Sequence, residues 1–427
     1  MTEKILVVIV LLASHLPIVF ACMRSWSKGK RPRSVDLIGL SCFLYWDAEI
    51  LFEAFGGTYE NAFFRPFFDA SESSLLPAVG IAVFAPWVIR IAYLWSARNV
   101  EGANSHLTKL RAPGLFYAVA IASCLAAATT SAIFLYTLGT IWASSRAIAL
   151  TMGPLIVLML IPCGLLCFYV CLPESHFSWG RAFTGFLVLA SVWSAVALGE
   201  RTFVLAPLLI LGLFYGRVSW KRVVAFGGIL LVLAAFVLPF FKAQYQGEES
   251  TADNVAAVFD GDLARGPILV QSVEWAKALG SRALPYPGAG YVYTGLFYVP
   301  RIVAPFKGSS TASWFTAAVF SSNDTKLNWG FGVGGIEELL LNLGWLGLIP
   351  GLVAVGAVFS GLDRLAKGIP AVSIFTSLAG IWFCGYDSTA ILYGFGSITI
   401  FAACLQFVFT KTEDSMVTRL RLVSHHT

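Results

Sequence analysis

The stretch GGIEELLLNLGWLG, residues 334–347, sets two adjacent carboxylates, Glu337 and Glu338, and one amide, Asn342, in an otherwise apolar run. At 100° per residue an unbroken helix places Glu338 and Asn342 within about 40° of each other. Gly344, Gly347 and Gly351 then fall on nearly the opposite face, a smooth stripe for close helix contact. Such a helix packs on one side and offers polar groups on the other. A carboxylate held there is suited to orienting or deprotonating a hydroxyl. Glu337 points about 100° away from Glu338, so the two acids need not share a role. Both also suit the positive end of a helix that starts near 334. A second acidic stretch, YWDAEILFEAF at 45–55, carries Asp47, Glu49 and Glu53, which either line a cavity or hydrogen-bond to neighbouring helices.

The cations suggest what the acids would work beside. GLFYVPRIVAPFKG, 295–308, sets Arg301 and Lys307 among aromatics and prolines, and Arg265 and Arg282 lie earlier in the same segment. Arg201 sits in the short joint GERT, beside Glu200, with which a turn ion pair is the alternative reading. A guanidinium binds phosphate in a planar, two-pronged geometry that lysine cannot copy. Arginines gathered over an apolar cavity therefore suit a lipid-linked phosphate or pyrophosphate, although the same residues also suit lipid headgroups. Arg90 reads as a snorkelling side chain near a helix end.

The elements that must position these groups follow from composition. The chain is 57% hydrophobic and 12% charged, with a mean hydropathy of +0.76. That is about half the usual charged fraction of a soluble protein, and repeated apolar runs match the length of a bilayer-crossing helix. The expectation is an all-α polytopic membrane protein of about eleven transmembrane helices with a large extracytoplasmic helical loop. The spans are predicted near 5–22, 35–55, 75–95, 113–136, 148–172, 183–199, 203–216, 223–241, 334–357, 370–386 and 389–409. Residues 1–241 thus carry helices one to eight, 242–333 form an extracytoplasmic loop or lid, and 334–427 carry the last three helices and a short tail. The alternating short loops on one side hold seventeen basic residues. Those on the other side, with the amino terminus, hold four: Lys4, Arg65, Arg146 and Arg201. The bias puts the basic loops in the cytoplasm, the amino terminus outside and the carboxyl terminus inside. Cleavage of residues 1–22 as a signal peptide would strand five basic residues outside, against that bias. In the long loop, 262–280 reads as an amphipathic helix lying on the membrane or over a cavity mouth.

All eight cysteines fall in expected spans, so no outer-loop disulfide framework is expected, and Cys163, Cys167 and Cys171 on one helix face read as small packing residues. None of the five histidines lies in the long loop, which argues against a zinc site or a histidine base there. Basic residues confined to short inter-span loops report topology, and no nucleic-acid partner is expected.

PRIVAPFK followed by EELLLNLGWLG resembles the O-antigen polymerase, or oligosaccharide repeat-unit polymerase, family. The pattern is carried by Pro300, Arg301, Pro305 and Lys307, then by Glu338, Asn342, Gly344 and Gly347. GERTFVLAPLLILGLFYG resembles the family's Gly-x-Arg segment through Gly199 and Arg201, and Arg265 and Arg282 occupy the part of the loop where such proteins place further arginines. Leu340 stands where an aromatic is usual and Glu337 where a small residue is usual. The likeness covers about 199–351. It implies a membrane glycosyltransferase of the bacterial inner membrane that joins undecaprenyl-pyrophosphate-linked oligosaccharides on the outer face, without metal or cofactor. Glu338, Arg301 and Arg201 would be catalytic. Arg265, Arg282, Lys307 and Asn342 would bind substrate. A chain-length regulator and a flippase are the partners implied. An O-antigen ligase uses the same donor but carries a histidine in the long loop. A lipid-linked oligosaccharide flippase or other transporter would distribute polar residues through many spans.

Overall fold

The computed structural model describes residues 2–28, 30–55, 66–97, 110–138, 153–172, 178–198, 201–214, 265–279, 284–299, 302–319 and 332–410. Among these, the regular structure is helical, with one isolated antiparallel bridge between Leu110 and Thr410. Helices α1 (Thr2–Ser27), α2 (Ser34–Cys42), α3 (Ala48–Ala54) and α4 (Glu72–Ser96) come first, and a π-turn, Phe43–Asp47, joins α2 to α3. Helices α5 (Pro113–Leu138), α6 (Gly153–Val170), α7 (Ser178–Leu198) and α8 (Arg201–Phe214) follow. The long loop contributes α9 (Gly266–Leu279), α10 (Ala289–Gly295) and α11 (Thr311–Val319). Last come α12 (Gly335–Leu365), α13 (Pro370–Ile381), α14 (Ser388–Ile391), a second π-turn (Leu392–Gly396) and α15 (Ser397–Phe409). Among the described residues, five helical stretches are long and apolar enough to cross a membrane: Glu3–Ser27, Glu72–Ser96, Pro113–Ile133, Gly335–Leu365 and Ser388–Phe409. Helix occupies every expected span except 223–241, which lies outside the described residues.

The chain forms two compact units. One gathers Gly102–Tyr215, Leu365–Ile374 and Ser397–Thr427. Its core is aromatic: the ring of Phe116 packs on Phe168, Tyr169, Phe183 and Phe409 at 5.2–6.4 Å between centroids. Cys163 and Cys167 are buried in this unit as free thiols.

The other unit comprises Met1–Glu101, Gly216–Arg364 and Phe375–Gly396. At one end Asp363 accepts hydrogen bonds from Arg31, the amide and hydroxyl of Ser34, Tyr93 and Thr376, so one carboxylate ties α2, α4, α12 and α13 together. Arg90 forms an ion pair with Asp36 at 3.2 Å, a specific partner instead of the expected snorkelling contact. Elsewhere in the unit His15 lies buried between the Asp47 carboxylate (2.7 Å) and the Ala82 carbonyl (2.9 Å), joining α1, the π-turn and α4.

Helix α12 departs from the expectation of one straight rod. Gly344 has φ 65° and ψ −171°, a conformation open essentially to glycine alone, and it breaks the helix in two. A Cβ placed on Gly351 would lie 2.5 Å from Leu339. In an unbroken helix those residues stand about 18 Å apart along the axis. Residues 335–343 therefore fold back over the segment that begins at 345, and the expected angular relation between Glu338 and the glycine stripe ends at the break. Residues 345–365 alone supply about 31 Å of helix, enough to cross a bilayer. Of the short first segment, residues 335–342 are all buried.

Candidate functional site

The buried segment 335–342 organises a polar network with its neighbours from α10, α11 and α14. Glu338 is 1% exposed, and its carboxylate accepts hydrogen bonds from the Thr311 hydroxyl (3.0 Å), the Ser388 amide (2.7 Å) and the Ser388 hydroxyl (2.9 Å). One turn later Asn342 accepts from the Gly290 amide (2.9 Å) and donates to the Thr311 hydroxyl (3.0 Å) and the Glu338 carbonyl (2.9 Å). The Asn342 carbonyl also accepts from the Gly288 amide at 2.9 Å. Glycine at 290 is required by this closeness, because a Cβ there would sit 1.9 Å from the Thr311 hydroxyl oxygen.

Asp387 is the second acid of the network. Its carboxylate caps α14 through the Ala390 amide (2.8 Å) and accepts from the Ala312 amide (3.2 Å). Burial raises the Asp387 carboxyl above its ordinary range. Tyr291 feels both acids: burial first, then the charges of Glu338 and Asp387, push its phenol well above the usual tyrosine value. Two carboxylates, two aliphatic hydroxyls, a phenol and an amide thus meet where loop helices α10 and α11 dock on the broken helix.

Glu337 faces a different set of neighbours. The indole of Trp46 donates to it at 3.1 Å, while its other oxygen is buried with no hydrogen-bond partner among the described residues. Arg265 lies in electrostatic reach. Its Nη1 donates to the Gly332 carbonyl at 2.9 Å, its backbone amide donates to the Tyr45 carbonyl at 3.2 Å, and its Nε has no partner among the described residues. The Gly266 amide, opening α9, donates to Glu49 at 2.8 Å. Glu53 receives the amides of Phe67 and Phe68 at 2.8 and 3.0 Å. The three acids of 45–55 therefore serve separate partners: Asp47 meets His15, Glu49 the start of α9, and Glu53 the turn at Phe67–Asp69. Helix α9 buries Ile268, Leu269, Val273 and Ala276. It is packed into the unit more deeply than a helix resting on a surface would be.

The structure brings Glu338, Asn342 and Arg265 into one body with Lys307. The Lys307 ammonium donates to the carbonyls of Leu296, Phe297 and Val299 at 3.4, 3.1 and 2.7 Å, and lies over the rings of Tyr293 and Phe297. Those bonds engage the cation with the loop's own backbone. Arg201 opens α8 in the other unit, where only its backbone is described. Arg282 and Arg301 lie outside the described residues.

Sequence reasoning passed over Asp387, Ser388, Thr311 and Trp46. GYDST at 385–389 reads as a tight joint, and the signal within it is an aspartate followed by helix-starting residues, the pattern of an N-cap. Nothing comparable marks Thr311 or Trp46. No group of three or more histidine, cysteine, aspartate or glutamate side chains placed to hold a metal ion occurs among the described residues.

No family model, curated protein or solved structure matches the chain.

Proposed function

We propose that this protein is a membrane glycosyltransferase of the oligosaccharide repeat-unit polymerase type, acting on the outer face of a bacterial inner membrane. The observation that carries the reading is the docking of EELLLNLGWLG on residues that flank PRIVAPFK on either side. Asn342 and Glu338, from EELLLNLGWLG, bind Gly288, Gly290 and Thr311 of the loop segment that also holds Pro305 and Lys307. The eleven-span topology, with the amino terminus outside and the carboxyl terminus inside, belongs to the same proposal.

In this reading the hydroxyl of an incoming lipid-linked sugar attacks the anomeric carbon of the growing chain. The new glycosidic bond forms as the bond to undecaprenyl pyrophosphate breaks. Glu338 takes the hydroxyl proton; its carboxylate already receives hydroxyl hydrogen bonds from Thr311 and Ser388, whose places an acceptor hydroxyl would take. The pyrophosphate leaves as an anion, and charge developing on it is met by Arg301 and Arg201, with Arg265 and Arg282 holding the bound donor. Lys307 contributes indirectly, by fixing the loop that carries Arg301.

The lipopolysaccharide ladder of a deletion strain tests the proposal. A core capped with single repeats supports the polymerase. Bare core points to a ligase instead, and an unchanged ladder removes both.

A further inference from the structure

The loop between α10 and α11 runs beside the last candidate span, Ser388–Phe409, instead of rising away from it. Thr294 meets Ser388 and Thr389 at 3.1 and 2.6 Å, the rings of Phe297 and Tyr393 lie 5.1 Å apart, and Tyr298 donates its hydroxyl to the Leu392 carbonyl at 2.9 Å. As the loop advances from 294 to 298, its partners advance from 388 to 392, about 6 Å along a helix. The loop therefore travels inward along the span. Beyond Tyr298 it presents Ile302, Val303 and Phe306, which are 92%, 69% and 68% exposed, while Ala304 between them is buried.

A soluble loop tip made of bare isoleucine, valine and phenylalanine would be costly in water. Three features make lipid the matching surroundings. The Lys307 ammonium satisfies three loop carbonyls, at 296, 297 and 299, which lowers the polar-backbone penalty where the loop approaches hydrocarbon. The chain from 275 to 323 contains no aspartate or glutamate and carries Lys277, Arg282, Arg301 and Lys307, a balance that favours anionic headgroups. Tyr286, Tyr291, Tyr293 and Tyr298 add the amphipathic rings that sit at a membrane interface.

We infer that residues 302–306 are immersed in lipid at the boundary of headgroups and acyl chains, with Ile302, Val303 and Phe306 among the acyl chains of the bilayer. The inference concerns where the loop sits and does not depend on the enzymatic reading.

The test uses the full chain, reconstituted in vesicles of phosphatidylethanolamine and phosphatidylglycerol, with a photoactivatable diazirine amino acid at position 302. Irradiation is expected to attach phospholipid, seen as the corresponding mass increase on the peptide that contains 302. Attachment to a second copy of the chain, or no adduct beyond that of water, overturns the inference. Because Ile302 is almost wholly exposed, substitution there spares the packing, and elution as an unaggregated species confirms folding. A second readout is an environment-sensitive NBD label on Ile302→Cys in a Cys404→Ser background. Blue-shifted emission, lost to nitroxide-bearing lipids and unaffected by aqueous iodide, agrees with immersion. Loss to iodide with no effect of the lipid nitroxides refutes it.

Discussion

Asn342→Ala tests whether the network around the broken helix holds the loop in place. Asn342 is fully buried and makes three side-chain hydrogen bonds. Two of its partners keep other engagements: Thr311 still donates to Glu338, and the Glu338 carbonyl remains in the helix ladder. The Gly290 amide loses its acceptor. One stranded buried donor costs about 1–3 kcal/mol, and the space vacated by the carboxamide adds about 1 kcal/mol. The expected loss is about 2–4 kcal/mol. Asn342→Asp keeps the acceptor for Gly290 but turns an oxygen toward the Glu338 carbonyl and Thr311, and brings a third acid beside Glu338 and Asp387. It should therefore destabilise more than alanine does, by about 1 kcal/mol or more. Denaturant unfolding in mixed micelles, followed by tryptophan fluorescence, measures both variants. A loss below about 1 kcal/mol for alanine, or an aspartate variant no worse than alanine, refutes the role of the amide as the bolt between loop and helix.

Four further outcomes are expected. Glu338→Gln should abolish polymer at normal protein level if the carboxylate accepts the proton, whereas Glu337→Gln, which keeps the Trp46 bond, should be mild; full-length chains from Glu338→Gln would move the base elsewhere. Lysine in place of Arg201, Arg265, Arg282 or Arg301 keeps charge but loses the planar fork, so chain length should fall in each, and normal length in all four removes the pyrophosphate clamp. Tyr291 has its phenol raised in the folded state, so its contribution to stability is complete below the ordinary tyrosine value, about 10, and declines above it as the unfolded chain ionises. Tyr291→Phe should flatten that alkaline decline in a melting-temperature profile, and an unchanged slope above that pH would contradict the assignment. A reporter active only outside the cytoplasm should work when fused near 60, 140 or 290 and fail near 105, 220 or 365; activity at 365 breaks the proposed sidedness.

Much of the architecture is legible in the sequence because lipid imposes a coarse rule, an apolar run of fixed length, and 75–95 and 113–136 obey it closely. The break at Gly344 is not legible. A glycine in LNLGWLG reads equally as a packing residue, and only the backbone angles show that it reverses the chain. The partners of Glu338 were hidden for a related reason. Thr311 and Ser388 lie 27 and 50 residues away, and helical periodicity carries no information at that range. The pairing of His15 with Asp47 likewise depends on the π-turn at 43–47, which redirects Tyr45, Trp46 and Asp47 toward three different partners. Turns of that kind recur at functional sites and leave no simple pattern in composition.

Why a greasy stretch keeps two glutamates and an asparagine now has a physical answer. Ionisable groups on a lipid-facing helix are costly, and a straight helix over 334–357 would expose part of its surface to lipid. The positive-φ residue at 344 removes the problem, because it sets the first segment apart as a separate piece in which residues 335–342 are buried. Irregular backbone within a membrane protein is tolerated where it is enclosed by protein, and that condition holds for residues 335–342 and for Gly344 itself, whereas Trp345 and Leu346 just beyond the break are exposed. Enclosure alone would still penalise a bare carboxylate. Glu338 escapes the penalty through three donors, and Asn342 uses both ends of its amide. Glu337 has one donor, Trp46, and the field of Arg265, and it retains one unsatisfied oxygen. Glu337 is thus the less satisfied of the two, and Glu338 is the one that binds the loop to the helix. A glutamate that both secures the loop and receives a substrate proton would couple loop position to proton transfer. Stability and polymer length, measured together on Glu338→Gln, distinguish the two duties: loss of polymer with an unchanged melting temperature isolates the proton, and parallel losses assign the residue to the scaffold.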